Sequence, residues 1–333
     1  MEQNVKKRFI IISTGQKNNI LNEAFDEVIN GKIENAEFID PYKFPNSLIK
    51  KFYDFRYSAK GRKWLSLLPN SIWNGYSFFN NLKIADDEKV YLLFVIGRDV
   101  ERLFVPSILD KIKNKYKDRV CNCLILFDSI EVTKSHNKWG EITNCFSHYD
   151  KVATFDLKDA KKYNLIHFWD PYNKRENLSP STNKKDLFFI GVDKGRLDIL
   201  NKIAEKAKEK HLSCDFRVFQ LDKEKEINGI TRLEKFLPYN EMLKEVLSSN
   251  CLVEVLAKGQ SSSSFRYYES VVYNKKLITN NPNIFDMPFY NSDYMQYFDD
   301  PNKLDVEWIS KDVTVDYGYK DEFSILQLFE KLK

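Results

Sequence analysis

The 333-residue sequence is short of the parts from which many active sites are built. It holds 4 histidines, 5 cysteines and 11 glycines. The histidines, His136, His148, His167 and His211, form no H-x-x-x-H pair, and Cys121-Asn-Cys123 has no second cysteine pair to complete a zinc site. No two glycines lie two apart, which excludes the G-x-G-x-x-G of a standard dinucleotide site. Neither G-x-x-x-x-G-K-[ST] nor G-x-S-x-G occurs, so a P-loop and an α/β-hydrolase nucleophile elbow are excluded too. No D-x-D occurs, and the adjacent pairs Asp86-Asp87 and Asp299-Asp300 point their side chains apart. A divalent ion held on a diphosphate by close-set carboxylates is therefore not expected, and no metal and no cofactor are predicted. Long apolar runs are also missing. Stretches such as Val90–Ile96 are strand-sized, well below the roughly 18 residues of a membrane-spanning helix.

The cysteines, Cys121, Cys123, Cys145, Cys214 and Cys251, are odd in number and scattered, which points to free thiols and a cytoplasmic setting. The opening MEQNVKKRFIIISTG has too short an apolar stretch for a signal peptide and reads as a first strand, Arg8–Ser13. The net charge of +4 is too weak to indicate a nucleic-acid binder. It is unevenly spread, with 27 basic and 22 acidic residues up to position 170. A basic first half suits an anionic partner or peripheral contact with the inner face of a membrane; solvated helix faces are the simpler reading.

What is present is enough apolar residue, 43%, to bury two cores. Strand-like and helix-like segments alternate in both halves. In the first they are Arg8–Ser13, a helix Asn18–Asn30, Ala36–Ile39, Lys89–Ile96, a helix Pro106–Tyr116, Val120–Phe127, Lys151–Phe155 and Asn164–His167. The unpatterned DPYNKRENLSPSTNKKD reads as a linker. The alternation then restarts with Asp186–Gly191, a helix Arg196–Lys210, Cys214–Phe219, a helix Asn240–Ser249, Cys251–Leu256, a helix Phe265–Asn274, Leu277–Thr279 and a last helix Glu322–Lys331. This pattern predicts two α/β units with parallel sheets: a first domain 1–170, a linker 171–185, a second domain 186–320 and a closing helix in 321–333.

Two loops of the second half have anion-binding chemistry. Gly191-Val-Asp-Lys-Gly-Arg196 joins a strand to a helix and puts Lys194 and Arg196 at the helix N-terminus, where cations do not help the helix but a phosphate is welcome. An exposed turn is the competing reading. Lys258-Gly-Gln-Ser-Ser-Ser-Ser264 precedes the next helix with more hydroxyls than one cap needs, though a capped loop would also explain it. Glu269 lies just over one turn into that helix and could accept hydrogen bonds from ribose hydroxyls; a surface glutamate is the plain alternative.

GQSSSSFRYYESVVYNKKLITNN (Gly259–Asn281) resembles the donor-binding segment of GT-B glycosyltransferases, with the closest likeness to bacterial capsular-polysaccharide and lipopolysaccharide-biosynthesis enzymes. DLFFIG resembles the opening of their second domain, and LFDSIE, YDKVATFD and DAKKY the end of their first. The likeness covers residues 89–290. It implies a GT-B fold of two Rossmann-like domains with parallel sheets facing a central cleft. It implies transfer of a sugar from a nucleotide-diphosphate donor, a co-substrate, to a glycan or lipid-linked glycan acceptor. Glu269 matches the ribose-binding glutamate, Ser262, Ser263 and Ser264 with Gln260 the diphosphate loop, and Gly191, Lys194 and Arg196 the basic loop that neutralises the leaving group. Tyr239 would flank the base. The wider group often has a second glutamate eight residues earlier; Ser261 stands there, so the likeness does not extend to the retaining subtype that uses it. In the acceptor domain Asp128 ends a buried strand and is the first candidate for the base, ahead of Glu131 and Asp99, and Arg98 follows another strand end. A GT-B-like epimerase or phosphotransferase, and a non-catalytic nucleotide-binding subunit, are the alternatives.

Overall fold

The computed structural model describes residues 5–13, 23–40, 46–48, 51, 55, 82–96, 106–131, 142–219, 229–235, 237–257 and 262–333. The chain forms two compact units, Met1–Pro171 with Ser324–Lys333, and Tyr172–Phe323.

The first unit is built on a six-stranded sheet of β1 (Lys6–Ile12), β2 (Ala36–Ile39), β3 (Glu88–Ile96), β4 (Val120–Leu126), β5 (Lys151–Thr154) and β6 (Ile166–His167). The order is β2-β1-β3-β4-β5-β6 and every pairing is parallel. Both faces are covered, which is why β3 and β4 read as unbroken apolar runs. One face carries Phe9, Ile11, Tyr91, Leu93 and Ile125 and packs under the C-terminal helix Ile325–Leu332. Phe329 of that helix stacks on Phe9 at 4.1 Å. The other face carries Ile10, Leu92, Phe94 and Leu124 and packs under the helix Pro106–Tyr116. The C-terminal helix starts at Ile325 rather than Glu322, because the Ser324 hydroxyl accepts the Leu326 N–H and caps it there.

The second unit repeats the scheme with β7 (Lys185–Val192), β8 (Cys214–Phe219), β9 (Ile230–Leu233), β10 (Ser249–Glu254), β11 (Lys276–Thr279) and β12 (Met295–Tyr297). Its order is β12-β11-β10-β7-β8-β9, again all parallel. The chain therefore winds outward from β7 to β9, returns to the other side of β7 as β10, and winds outward again. The topological switch point falls between β7 and β10. Sequence periodicity does not show β9 and β12, which are short edge strands, nor the polar helix Leu157–Tyr163 capped by Asp156. Of the helix expected at Asn18–Asn30, the described part is Asp26–Ile29.

At the amino edge of the second sheet Lys185 is buried and ion-paired with Asp215 at 2.7 Å and with Glu245; Arg217 joins Asp215 at 2.7 Å and Glu245 at 3.4 Å. The network ties β7, β8 and the helix Tyr239–Leu247 in one register. The stretch before β7 is bonded into the same unit: Tyr172 is buried, and the Arg175 N–H donates to the Tyr273 hydroxyl at 2.9 Å.

Candidate functional site at the second switch point

The two loops singled out in the sequence leave the carboxyl ends of β7 and β10, the adjacent strands that flank the switch point. Open α/β sheets bind ligands at such a place, because the two chains diverge there and leave a crevice between helix N-termini.

The β7 loop turns tightly. The Arg196 N–H donates to the Asp193 carbonyl at 2.9 Å across Lys194 (φ +43°) and Gly195 (φ +78°). Both central residues are left-handed, which the glycine takes freely and the lysine does not. Lys194 is exposed and has no ion-pair partner among the described residues. Arg196 behaves differently from the free cation suggested by the sequence. Its Nη1 donates to the Val255 carbonyl at 2.9 Å and its Nε to the Val192 carbonyl at 3.1 Å. The guanidinium thus bridges the ends of the two switch-point strands. It lies 5.4 Å from the Phe189 ring centre, and burial lowers its pKa from the usual value. Gly191 makes room for it: a Cβ there would stand 3.1 Å from the Phe189 ring and 3.3 Å from Arg196 Nη2.

The β10 loop ends in serines whose hydroxyls are already in use. Ser264 caps the helix Phe265–Val272 by accepting the Arg266 N–H. Its own N–H and hydroxyl donate to Glu254 Oε1 at 2.6 and 2.8 Å, and the Thr279 hydroxyl donates to Glu254 Oε2 at 2.6 Å. Ser263 accepts the Asn281 side-chain amide at 2.8 Å. Ser262 is half-buried beside them. Glu254, a wholly buried carboxylate whose pKa burial raises, is therefore the residue that fixes the loop. Sequence reasoning passed over it, although a glutamate inside CLVEVL is a buried charge that needs a reason. Gln260 lies outside the described residues.

Glu269 has no exposed surface. Its Oε2 lies 2.5 Å from Arg266 Nη1, and its Oε1 lies 3.4 Å from the Tyr239 hydroxyl. Tyr239 in turn lies 2.7 Å from the Tyr172 hydroxyl. Burial pushes the Glu269 carboxyl up to about 7, against opposing pulls from Arg266 and Tyr239. The structure thus joins two residues picked from sequence, Glu269 and Tyr239, and adds two that were not, Arg266 and Tyr172.

In the first unit Asp128 is exposed just beyond the end of β4, and Glu131 is exposed nearby. The structure adds Asp170, beyond β6 on the same edge of the sheet. Burial, reinforced by the Asp128 carboxylate, pushes Asp170 up to about 8. A carboxyl that keeps its proton at neutral pH beside a second carboxylate is an arrangement suited to acid–base work. Arg98 and Asp99 lie outside the described residues. Among the described residues no three His, Cys, Asp or Glu side chains are grouped to hold a metal ion.

No family model matches the chain, and no curated protein matches it. Solved structures do. Trehalose-6-phosphate synthase OtsA aligns over 98% of this chain and 94% of its own, with TM-score 0.54 at 10% identity. Anabaena HepE in complex with UDP-glucose aligns over 98% of this chain and 98% of its own, with TM-score 0.53 at 7% identity. An E. coli trehalose-6-phosphate protein bound with UDP-2-fluoro glucose aligns over 98% and 96%, with TM-score 0.53 at 9% identity. With two all-parallel six-stranded sheets and these neighbours, the chain has the GT-B fold of two Rossmann-like domains.

Proposed function

We propose that this chain is a nucleotide-sugar-dependent glycosyltransferase that works without a metal ion. The observation that carries the reading is the switch point of the second unit, between β7 and β10. Two helix-opening loops meet there at adjacent strand ends, Arg196 joins those ends, and a buried acid, Glu269, follows one turn later. The UDP sugars held by HepE and the E. coli protein make UDP-glucose the first donor to test.

In this reading the donor diphosphate lies against the backbone N–H groups of the β7 and β10 loops, and Lys194 supplies the free positive charge. Arg196 stiffens the crevice and adds charge from behind. Glu269 takes the ribose hydroxyls. Asp128 removes the proton from the acceptor hydroxyl as its oxygen bonds to the sugar C1. The C1–O bond to the diphosphate breaks with its electron pair leaving on the nucleotide. The acceptor is a surface glycan or a lipid-linked glycan, reached at the inner face of the cell membrane. The mildly basic first half supports that placement.

Incubation with UDP-glucose in EDTA, with lipid-linked and free glycans as acceptors, tests this. Acceptor-dependent release of UDP, lost in Asp128→Asn, is the expected result. Release of free sugar without acceptor would move the chain to a hydrolytic, epimerase-like reaction. Release that requires a divalent ion would overturn the metal-free mechanism.

A further inference from the structure

The environment of Glu269 is incomplete in a specific way. Arg266 and Glu269 are both buried, and their facing atoms, Nη1 and Oε2, are 2.5 Å apart. Yet the contact is misaligned, and neither atom has a hydrogen-bond partner among the described residues. The other end of the Arg266 guanidinium, Nη2, donates to the Met242 sulfur at 3.2 Å, a weak acceptor. On the other side of the carboxyl, the Tyr239 hydroxyl is 3.4 Å from Oε1, longer than the usual range for a hydroxyl. That hydroxyl has one proton and two neighbours. It can donate to Glu269 only while it accepts from Tyr172, 2.7 Å away. The Tyr172 ring in turn lies edge-on to that of Tyr273, whose oxygen accepts the Arg175 N–H at 2.9 Å. Stacked and edge-on contacts of Tyr172 with Tyr268 and Tyr273 hold this chain of phenols in place.

A buried acid with one long hydrogen bond and one misaligned ion pair calls for an explanation. A single hydroxyl placed beside Arg266 and Glu269 would accept from Nη1 and donate to Oε2, filling both vacant positions. A second, adjacent hydroxyl would reach Oε1, where the Tyr239 hydroxyl now stands. Two neighbouring hydroxyls are a vicinal diol. The inference rests on the donor reading above, in which that diol is the ribose.

We propose that the Tyr239 hydroxyl is a stand-in for one ribose hydroxyl at Glu269, so that Tyr239 sets how strictly the site demands a ribonucleotide. When the donor brings both hydroxyls, Tyr239 yields Oε1 and turns its proton to Tyr172. When one hydroxyl is missing, Tyr239 stays and keeps the buried carboxyl partnered. The wild type is therefore tolerant of a deoxynucleotide. Without the phenol oxygen the tolerance is lost, because a missing ligand hydroxyl then leaves a buried acid unpaired. This role differs from base stacking, which needs the Tyr239 ring and not its oxygen.

The test is calorimetric titration of wild type and Tyr239→Phe with uridine diphosphate and with its 2′-deoxy and 3′-deoxy forms. In the variant, the preference for uridine diphosphate over one of the deoxy forms is expected to grow about tenfold, the size of a hydrogen bond to a charged group. Tyr172→Phe keeps the Tyr239 oxygen but removes the acceptor to which it turns, so the preference is expected to shrink in this variant, the opposite of its growth in Tyr239→Phe. Equal weakening of all three ligands, or an unchanged preference, would show that Tyr239 only supports the fold and would overturn the proposal. Absence of binding of all three to folded wild type would instead overturn the donor reading itself. Should Tyr239→Phe fail to fold, wild type labelled with 13C at the tyrosine Cζ gives the same answer. One tyrosine resonance must shift with uridine diphosphate and not with the deoxy form; a shift with both, or with neither, would overturn the proposal.

Discussion

Replacing Glu269 with glutamine removes its charge and keeps its shape, and the consequence for stability can be worked through. The unfolded chain ionises this group near 4.5, while burial holds the proton in the folded chain until about 7. The folded state binds the proton more tightly, so the stabilising contribution is complete below pH 4.5 and is lost as the pH rises through 7. The span from 4.5 to about 7 corresponds to about 3 kcal/mol. Glutamine does not titrate. It leaves Arg266 facing a neutral amide, which adds an offset that is the same at every pH. Urea unfolding of both proteins at a series of pH values from about 4 to 8 should therefore show their stability difference moving by about 3 kcal/mol in favour of the variant. Nucleotide affinity should run in the opposite sense. If Glu269 takes the ribose hydroxyls as proposed, they donate to the ionised acid, so wild-type affinity should rise toward neutral pH while that of the variant stays level. A stability difference that is flat across the range would refute the reasoning, since Glu269 would then titrate alike in both states.

Three further predictions concern the frame around the site. Lys185→Met should destabilise the protein by about 1.5–3 kcal/mol in urea unfolding, because Asp215 and Glu245 lose the buried charge between them and keep Arg217. Glu254→Ala, which strands the Ser264 N–H, the Ser264 hydroxyl and the Thr279 hydroxyl, should lower stability by about 3 kcal/mol; Glu254→Gln, which keeps two of the three bonds, should lower it by about 1 kcal/mol. Gly191→Ala forces a methyl group against Phe189 and Arg196, and should lower stability by about 1–2 kcal/mol and weaken nucleotide binding in the same calorimetric titration.

Much of the fold is legible in the sequence because its central strands are buried on both faces. Val90–Ile96 and Leu187–Ile190 are apolar without alternation, and no half-exposed strand reads that way. The edge strands Ile230–Leu233 and Met295–Tyr297 are short and carry polar residues, so nothing in their composition separates them from loops. The site was half legible. Spacing alone put Arg196 and the serines at helix starts, and the structure has them there. Spacing could not reveal that Arg196 spends its donors on strand-end carbonyls, or that a glutamate inside β10 holds Ser264. Nor could it find Tyr172, which sits in a stretch without periodicity and meets its partner Tyr239 across 67 residues of chain.

The central claim is that the crevice between β7 and β10 holds a nucleotide diphosphate without a metal ion. Calorimetric titration of wild type, Lys194→Ala and Glu269→Ala with uridine diphosphate in EDTA tests it most directly. The account predicts one site per chain in the wild type, with affinity lowered about tenfold or more in each variant. Binding that appears only when a divalent ion is added, or that is equal in all three proteins, would contradict it.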